Sequence, residues 1–330
     1  MSVRLTQFFA SRKGIILVGV LIGILGPLLQ YFGNPANMGI CVACFERDIA
    51  GALGLHRAAV VQYLRPEIPG FVLGSTLAAL LFREFKARSG SAPIVRFVLG
   101  FFAMIGALAF LGCPWRASFR LAGGDLTGLL GLAGLAVGVA AGVYFLRHGY
   151  NLGRSQKTYT AVGWIMPVTM LALLALAVFH PVFSEGGPIF YSESGPGSMY
   201  APLLVSLVIG LVIGALAQRT RFCTMGALRD VILMGDTHLL SGLLALITAA
   251  FVTNMVLGQF KLGYAAHKEQ IQSTSTLRCD HDEIGILVVR CFHDGPGGHR
   301  ACHHRTDLKF ILAQGVGNGI DKLLHIDHSF

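Results

Sequence analysis

One polar pattern occurs twice in a chain built mostly of apolar runs, and it limits the possible folds more than any other feature. The first copy is Cys41, Arg47-Asp48 and His56; the second is Cys223, Arg229-Asp230 and His238, 182 positions further on. In both copies five residues separate the cysteine from the Arg-Asp pair, and seven separate the pair from the histidine. Both copies lie between long apolar segments, where ionisable side chains are costly and are functional by default. A duplicated polar cluster at membrane level is the mark of a fold built from internal repeats, as many transporters are.

The composition fits that setting. Apolar residues make up 54% of the chain and charged residues only 13%, about half the charged share of a soluble domain. Glycine is abundant, at 42 of 330 residues, as close helix packing in lipid favours. The net charge of +9 does not mark a nucleic-acid binder, because the basic residues gather in short loops between apolar runs. That is the positive-inside pattern.

Seven spans are expected, near 14–33, 69–83, 94–113, 126–147, 162–183, 200–218 and 239–258. Crossing takes about 20 apolar residues, so 69–83 is marginal. The first run is too long for the apolar region of a signal peptide and is read as a span. Arg4, Arg12 and Lys13 place the N-terminus in the cytoplasm. Alternation then puts Arg83, Lys86, Arg88 and Arg96 inside, together with Arg147, Arg154 and Lys157. The loop 184–199, with Glu185 and Glu193 but no Lys or Arg, falls outside.

The motif segments 34–68 and 219–238 are too polar to span. We read them as short re-entrant half-helices, tolerated at membrane depth only where protein or a cavity surrounds them. Five spans separate the two motifs, so they face opposite sides. The expected fold is an all-α integral membrane protein with inverted repeats and re-entrant half-helices: 1–150 the first repeat, 151–266 an incomplete second, and 267–330 an atypical polar tail.

The candidate site residues carry both chemical and structural readings. Cys41 and Cys44 form a CxxC, which is redox-active, half a zinc site, or two small buried side chains. Gly226 stands where the second copy would repeat Cys44, so the duplicated element is the single cysteine. Cys113, in Gly-Cys-Pro-Trp-Arg at a span end, sits where the backbone breaks and a thiol can enter a cavity. Arg116 beside it attracts an anion or snorkels to the interface. Arg47-Asp48 and Arg229-Asp230 bind an anion or, as we favour, pair locally to hold the half-helices. His56 and His238 cap or bridge helices, with a proton relay as the weaker reading. No metal and no cofactor is expected, and no Gly-rich phosphate loop of the Walker type occurs.

The tail holds eight of the twelve histidines and three of the seven cysteines. Cys279, Cys291, Cys302 and His303 match no compact zinc spacing. The repeat calls for a Gly-Cys-Pro near position 295, where Asp294-Gly-Pro-Gly297 stands instead. Charges such as Arg278, Asp280, Asp282, Asp307 and Lys309 each cost about 2.5–3.5 kcal/mol near a helix centre. The tail is therefore expected to be loosely docked or disordered, the product of a frameshift or a degraded terminus.

Four stretches resemble the YeeE/YedE family of sulfur-compound transporters, and most closely its selenium-metabolism membrane protein branch (YedE/FdhT). They are Asn34-Pro-Ala-Asn-Met-Gly-Ile-Cys-Val-Ala-Cys44, Gly54-Leu-His-Arg-Ala-Ala-Val-Val-Gln-Tyr-Leu-Arg-Pro66, Phe110-Leu-Gly-Cys-Pro-Trp-Arg116 and Arg219-Thr-Arg-Phe-Cys-Thr-Met-Gly-Ala-Leu-Arg-Asp230. The resemblance covers about 1–266. It implies an inverted-repeat helical membrane protein that imports thiosulfate or a related compound past cysteines along its path. That role would fall on Cys113 and on Cys41 or Cys44, with Cys223 from the duplicated motif. The implied partners are a small sulfur or selenium anion, the lipid bilayer and a cytoplasmic sulfur-carrier or selenium-metabolism protein. The rivals are a thiol–disulfide redox protein and an accessory subunit that delivers the compound to a partner.

Overall fold

Every long element is a helix, and the helices alternate between lengths that suit a bilayer and lengths that do not. The computed structural model describes residues 3–110, 112–181 and 187–264. The calls on the tail from 267 onward lie outside these residues.

Helix α1 (Val3–Ala10) is followed by α2 (Arg12–Tyr31), which starts where Ser11 Oγ accepts the Gly14 N–H at 3.2 Å. A side-chain oxygen there satisfies one of the orphan donors of the first turn. α2 ends at Tyr31; two residues on, Gly33 has a φ of +126° that only glycine adopts without strain, and Asn34-Pro35 carries the chain away. Next come α3 (Val42–Ala52), α4 (Glu67–Leu81), α5 (Pro93–Ala109), α6 (Pro114–Ala122) and α7 (Thr127–Arg147). The series finishes with α8 (Thr160–Phe179), α9 (Leu203–Thr220), α10 (Thr224–Met234) and α11 (His238–Val256).

Among the described residues six helical stretches are long and apolar enough to cross a membrane: 12–31, 93–122 (α5 with α6), 127–147, 160–179, 203–234 (α9 with α10) and 238–256. The expectation of seven is corrected at 69–83. α4 has 15 residues, about 22 Å at the usual rise, short of the roughly 30 Å of hydrocarbon. The expected span 94–113 also stops early. α5 ends at Ala109, and the chain turns before restarting as the separate short helix α6, which the hydropathy pattern did not reveal. The two motif segments are short as anticipated, α3 and α10 each having 11 residues.

Helices α2 and α11 lie along one another, as do α4 and α9. Glycines make the approach possible. A Cβ on Gly19 of α2 would strike the carbonyl of Gly242 in α11, and one on Gly74 of α4 would strike that of Leu211 in α9. Around α2 a core forms from Ile15, Val18, Ile22, Ile213, Leu246 and Phe119. Outward, Phe97, Phe102, Leu130, Val137 and Ile165 on α5, α7 and α8 are exposed, apolar surface of the kind lipid accepts.

Two loops that the charge pattern assigned to one side are joined physically. β1 (Arg88–Ser89) pairs antiparallel with β2 (Gln156–Lys157), Arg88 opposite Lys157. Elsewhere the loop after α8 lies against the segment after α3: Phe190 N–H donates to the Ala52 carbonyl at 2.9 Å and Ser192 N–H to that of Gln62 at 2.8 Å.

Candidate functional site

Two short helices begin at cysteines, and those beginnings meet. Cys41 is the N-cap of α3, and its Sγ accepts the Cys44 N–H at 3.4 Å. Cys113 is the N-cap of α6, with Pro114 in the first turn, where a missing N–H costs nothing. Cys41 and Cys113 pack into one buried cluster together with Cys44. Cys44, one turn into α3, takes the Arg116 Nη1–H at 3.1 Å on its sulfur. Met38, Phe45, Ile49, Ile68 and Met170 seal the cluster, and all three cysteines are buried.

Arg116 gives the cluster its charge. Its side chain is buried, 4% exposed, and it makes no ion pair among the described residues. Its Nε is buried without a hydrogen-bond partner. The other two buried arginines are neutralised: Arg65 by Asp48 at 2.9 Å and Arg120 by Asp125 at 2.7 Å. A buried guanidinium without a carboxylate is expensive, and two helix N-termini beside it add partial positive charge. Anions are favoured there.

In both copies the Arg and Asp side chains pair with one another, but only the first pair is joined by a second arginine among the described residues. Arg47 reaches Asp48 Oδ1 at 2.8 Å, and Arg65 occupies Oδ2 while donating to the carbonyls of Met199 at 2.8 Å and Pro196 at 2.6 Å. Arg229 meets Asp230 at 2.7 Å, but this arginine side chain is 53% exposed and no second arginine joins. The histidines also diverge. His56 Nδ1 accepts the Ala58 N–H at 3.2 Å, leaving Nε2 to donate to the Arg47 carbonyl at 3.0 Å, so it closes the end of α3. At His238 it is the backbone N–H that bonds, donating to Asp236 Oδ1 at 2.9 Å as α11 begins.

The second motif lines a different place. Cys223 caps α10 as Cys41 caps α3, its Sγ accepting the Gly226 N–H at 3.3 Å. Yet it is exposed, and no hydrogen bond links it to the three-thiol cluster. With Arg219, Arg221, Arg229, Asp230 and His238 it borders a cavity of about 1240 Å³ that none of Cys41, Cys44 and Cys113 lines. Among the described residues no group of three or more His, Cys, Asp or Glu is placed to hold a metal ion.

Sequence reasoning missed Arg65 and Glu67. Both are charged residues in an apolar stretch, a signal in itself, but they fall outside the repeated motif. Nearby, burial, with the charge of Glu67 adding to it, pushes the Tyr63 phenol well above its ordinary range.

The fold and this interior define the class: a mostly helical, multi-pass membrane protein with a buried thiol–arginine site. Comparison with family models, curated proteins and solved structures returned no match.

Proposed function

We propose that this protein is a transporter of the YeeE/YedE type that imports a small sulfur- or selenium-containing anion, such as thiosulfate, past Cys41, Cys44 and Cys113. One observation carries the reading: Arg116 is buried beside three thiols, with no carboxylate partner and an unpartnered Nε. The guanidinium supplies the charge that draws the anion in. The thiols are soft, polarisable and weak hydrogen-bond donors, suited to hold a soft sulfur or selenium atom briefly and release it. A site that binds weakly at several points allows passage.

Inverted repeats belong to the same reading. In support, α3 and α10 share their cysteine cap and their Arg-Asp pair. The helix before the first motif packs on the helix after the second, and the reverse holds for α4 and α9. A pseudo-two-fold axis generates that reciprocity. The chain would sit in a bacterial-type inner membrane with its N-terminus in the cytoplasm and the motifs on opposite faces. Leu55→Cys and Met234→Cys, at exposed positions after α3 and at the end of α10, labelled from each side, check this; reaction of both from the same side refutes the inversion.

The test is uptake of labelled thiosulfate, selenite and sulfide by vesicles holding the purified chain. Uptake by the wild type, lost in Arg116→Met and Cys113→Ala at equal protein content, is the expected result. Undiminished uptake by Arg116→Met refutes the reading. A thiol–disulfide role has one observation in its favour, the gathering of Cys41, Cys44 and Cys113 in one buried cluster. It predicts disulfide exchange with a dithiol probe in the absence of any uptake. A delivery subunit would show no uptake until its partner is added.

A further inference from the structure

Of the four buried carboxylates among the described residues, Asp48, Asp125 and Asp230 each meet an arginine, whereas Glu67 meets no basic group. Its side chain is fully buried at the start of α4. Oε1 accepts from Asn34 Nδ2 at 2.8 Å and from Ser206 Oγ at 2.9 Å, while Oε2 has no partner. These three side chains come from the loop after α2, the first turn of α4 and the body of α9. The nearest arginine in sequence, Arg65, is committed to Asp48 and to two carbonyls. The N-terminus of α4 offsets part of the charge, but a carboxylate with a bare oxygen in a dry interior needs more.

We propose that Glu67, with Asn34 and Ser206, binds a small monovalent cation such as sodium. The open electron pairs belong to hard oxygens, Glu67 Oε2 and Ser206 Oγ; Asn34, whose Oδ1 accepts the Ala201 N–H at 2.9 Å, turns its amide N–H to Glu67 Oε1 and fixes the carboxylate beside them. Hard oxygens select hard cations. A single carboxylate matches a single positive charge, whereas divalent ions gather several carboxylates or waters. The bound ion would join α2, α4 and α9, so its binding stabilises their packing. The site is also the negative counterpart of Arg116. Its use as the coupling site, one cation entering with one anion, rests on the transporter reading; cation binding itself does not.

Thermal unfolding of the purified full-length chain, with sodium exchanged for potassium or choline at fixed ionic strength, tests the site without any transport assay. Ligand that binds only the folded state raises the midpoint with concentration. The expected result is a saturable, sodium-specific rise in the wild type. It should persist in Cys113→Ala, disappear in Glu67→Gln and shrink in Ser206→Ala, which keeps the proposal testable if Glu67→Gln does not fold. No cation-specific shift in the wild type, or an undiminished shift in Ser206→Ala or Glu67→Gln, overturns it. So does a midpoint that follows pH alone, which would make Glu67 a proton site. If the sodium shift holds while vesicles show no uptake, the cation site stands and the transporter reading falls.

Discussion

Asp48→Asn and Asp230→Asn are the same substitution in the same motif, and the structure predicts very different costs. Asp48 is fully buried and holds two arginines, one of them the fully buried Arg65. Asp48→Asn keeps the shape and removes the charge, so Arg65 stays buried without its counterion. Breaking a buried pair in this way costs about 3–5 kcal/mol. Asp230 is paired only to the half-exposed Arg229. Exposed pairs are worth about 0–1 kcal/mol, so Asp230→Asn costs no more than that. With about 2–4 °C per kcal/mol for a chain of this size, Asp48→Asn lowers the midpoint by about 6–20 °C and Asp230→Asn by less than about 4 °C. Thermal unfolding of the purified variants in one detergent, followed by the fluorescence of Trp115 and Trp164, measures the difference. Arg65→Met added to Asp48→Asn recovers part of the loss, since the uncompensated charge is gone. Recovery is incomplete because the carbonyls of Met199 and Pro196 lose their donor. Equal shifts for the two Asp→Asn variants would refute the assignment of the lock to Arg65.

Other outcomes follow from the same geometry. Gly74→Val meets the Leu211 backbone and disrupts the α4–α9 contact, lowering the yield of folded protein in size-exclusion profiles; Gly100→Ala, with open space around it, stays within about 0.5 kcal/mol of wild type. Cys223, exposed, reacts with a small maleimide in native membranes well before the buried Cys41 and Cys44, as peptide mass spectrometry after brief labelling would show. Arg116→Lys keeps the charge but changes the donor geometry, so it retains weak uptake where Arg116→Met retains none.

Much of the architecture is legible in the sequence because it depends on neighbours along the chain. Run length and apolarity locate α2, α7, α8, α9 and α11 to within a few residues. Polar content and Asn-Pro and Gly breaks mark 34–68 and 219–238 as too irregular to cross. The repeated cysteine spacing anticipates that α3 and α10 are built alike, since an N-cap is decided within one turn. Helix α4 and the α5–α6 break were harder. Hydropathy averages over a window and does not register where a backbone turns, so 94–113 reads as continuous although the helix stops at Ala109.

What the sequence does not contain is which distant residues meet. Two cysteines with the same local role end in unlike surroundings: Cys41 buried in one cluster with Cys44 and Cys113, Cys223 beside an open cavity. Asp48 and Asp230 repeat each other in sequence, yet only one receives Arg65, because the loop that supplies Arg65 has its anchoring carbonyls at Pro196 and Met199, more than a hundred residues away. Whether a buried charge is paired is a matter of packing between remote segments. Local pattern fixes the helices and their caps; tertiary packing decides that, among the described residues, Arg116 meets no carboxylate and Glu67 no basic side chain.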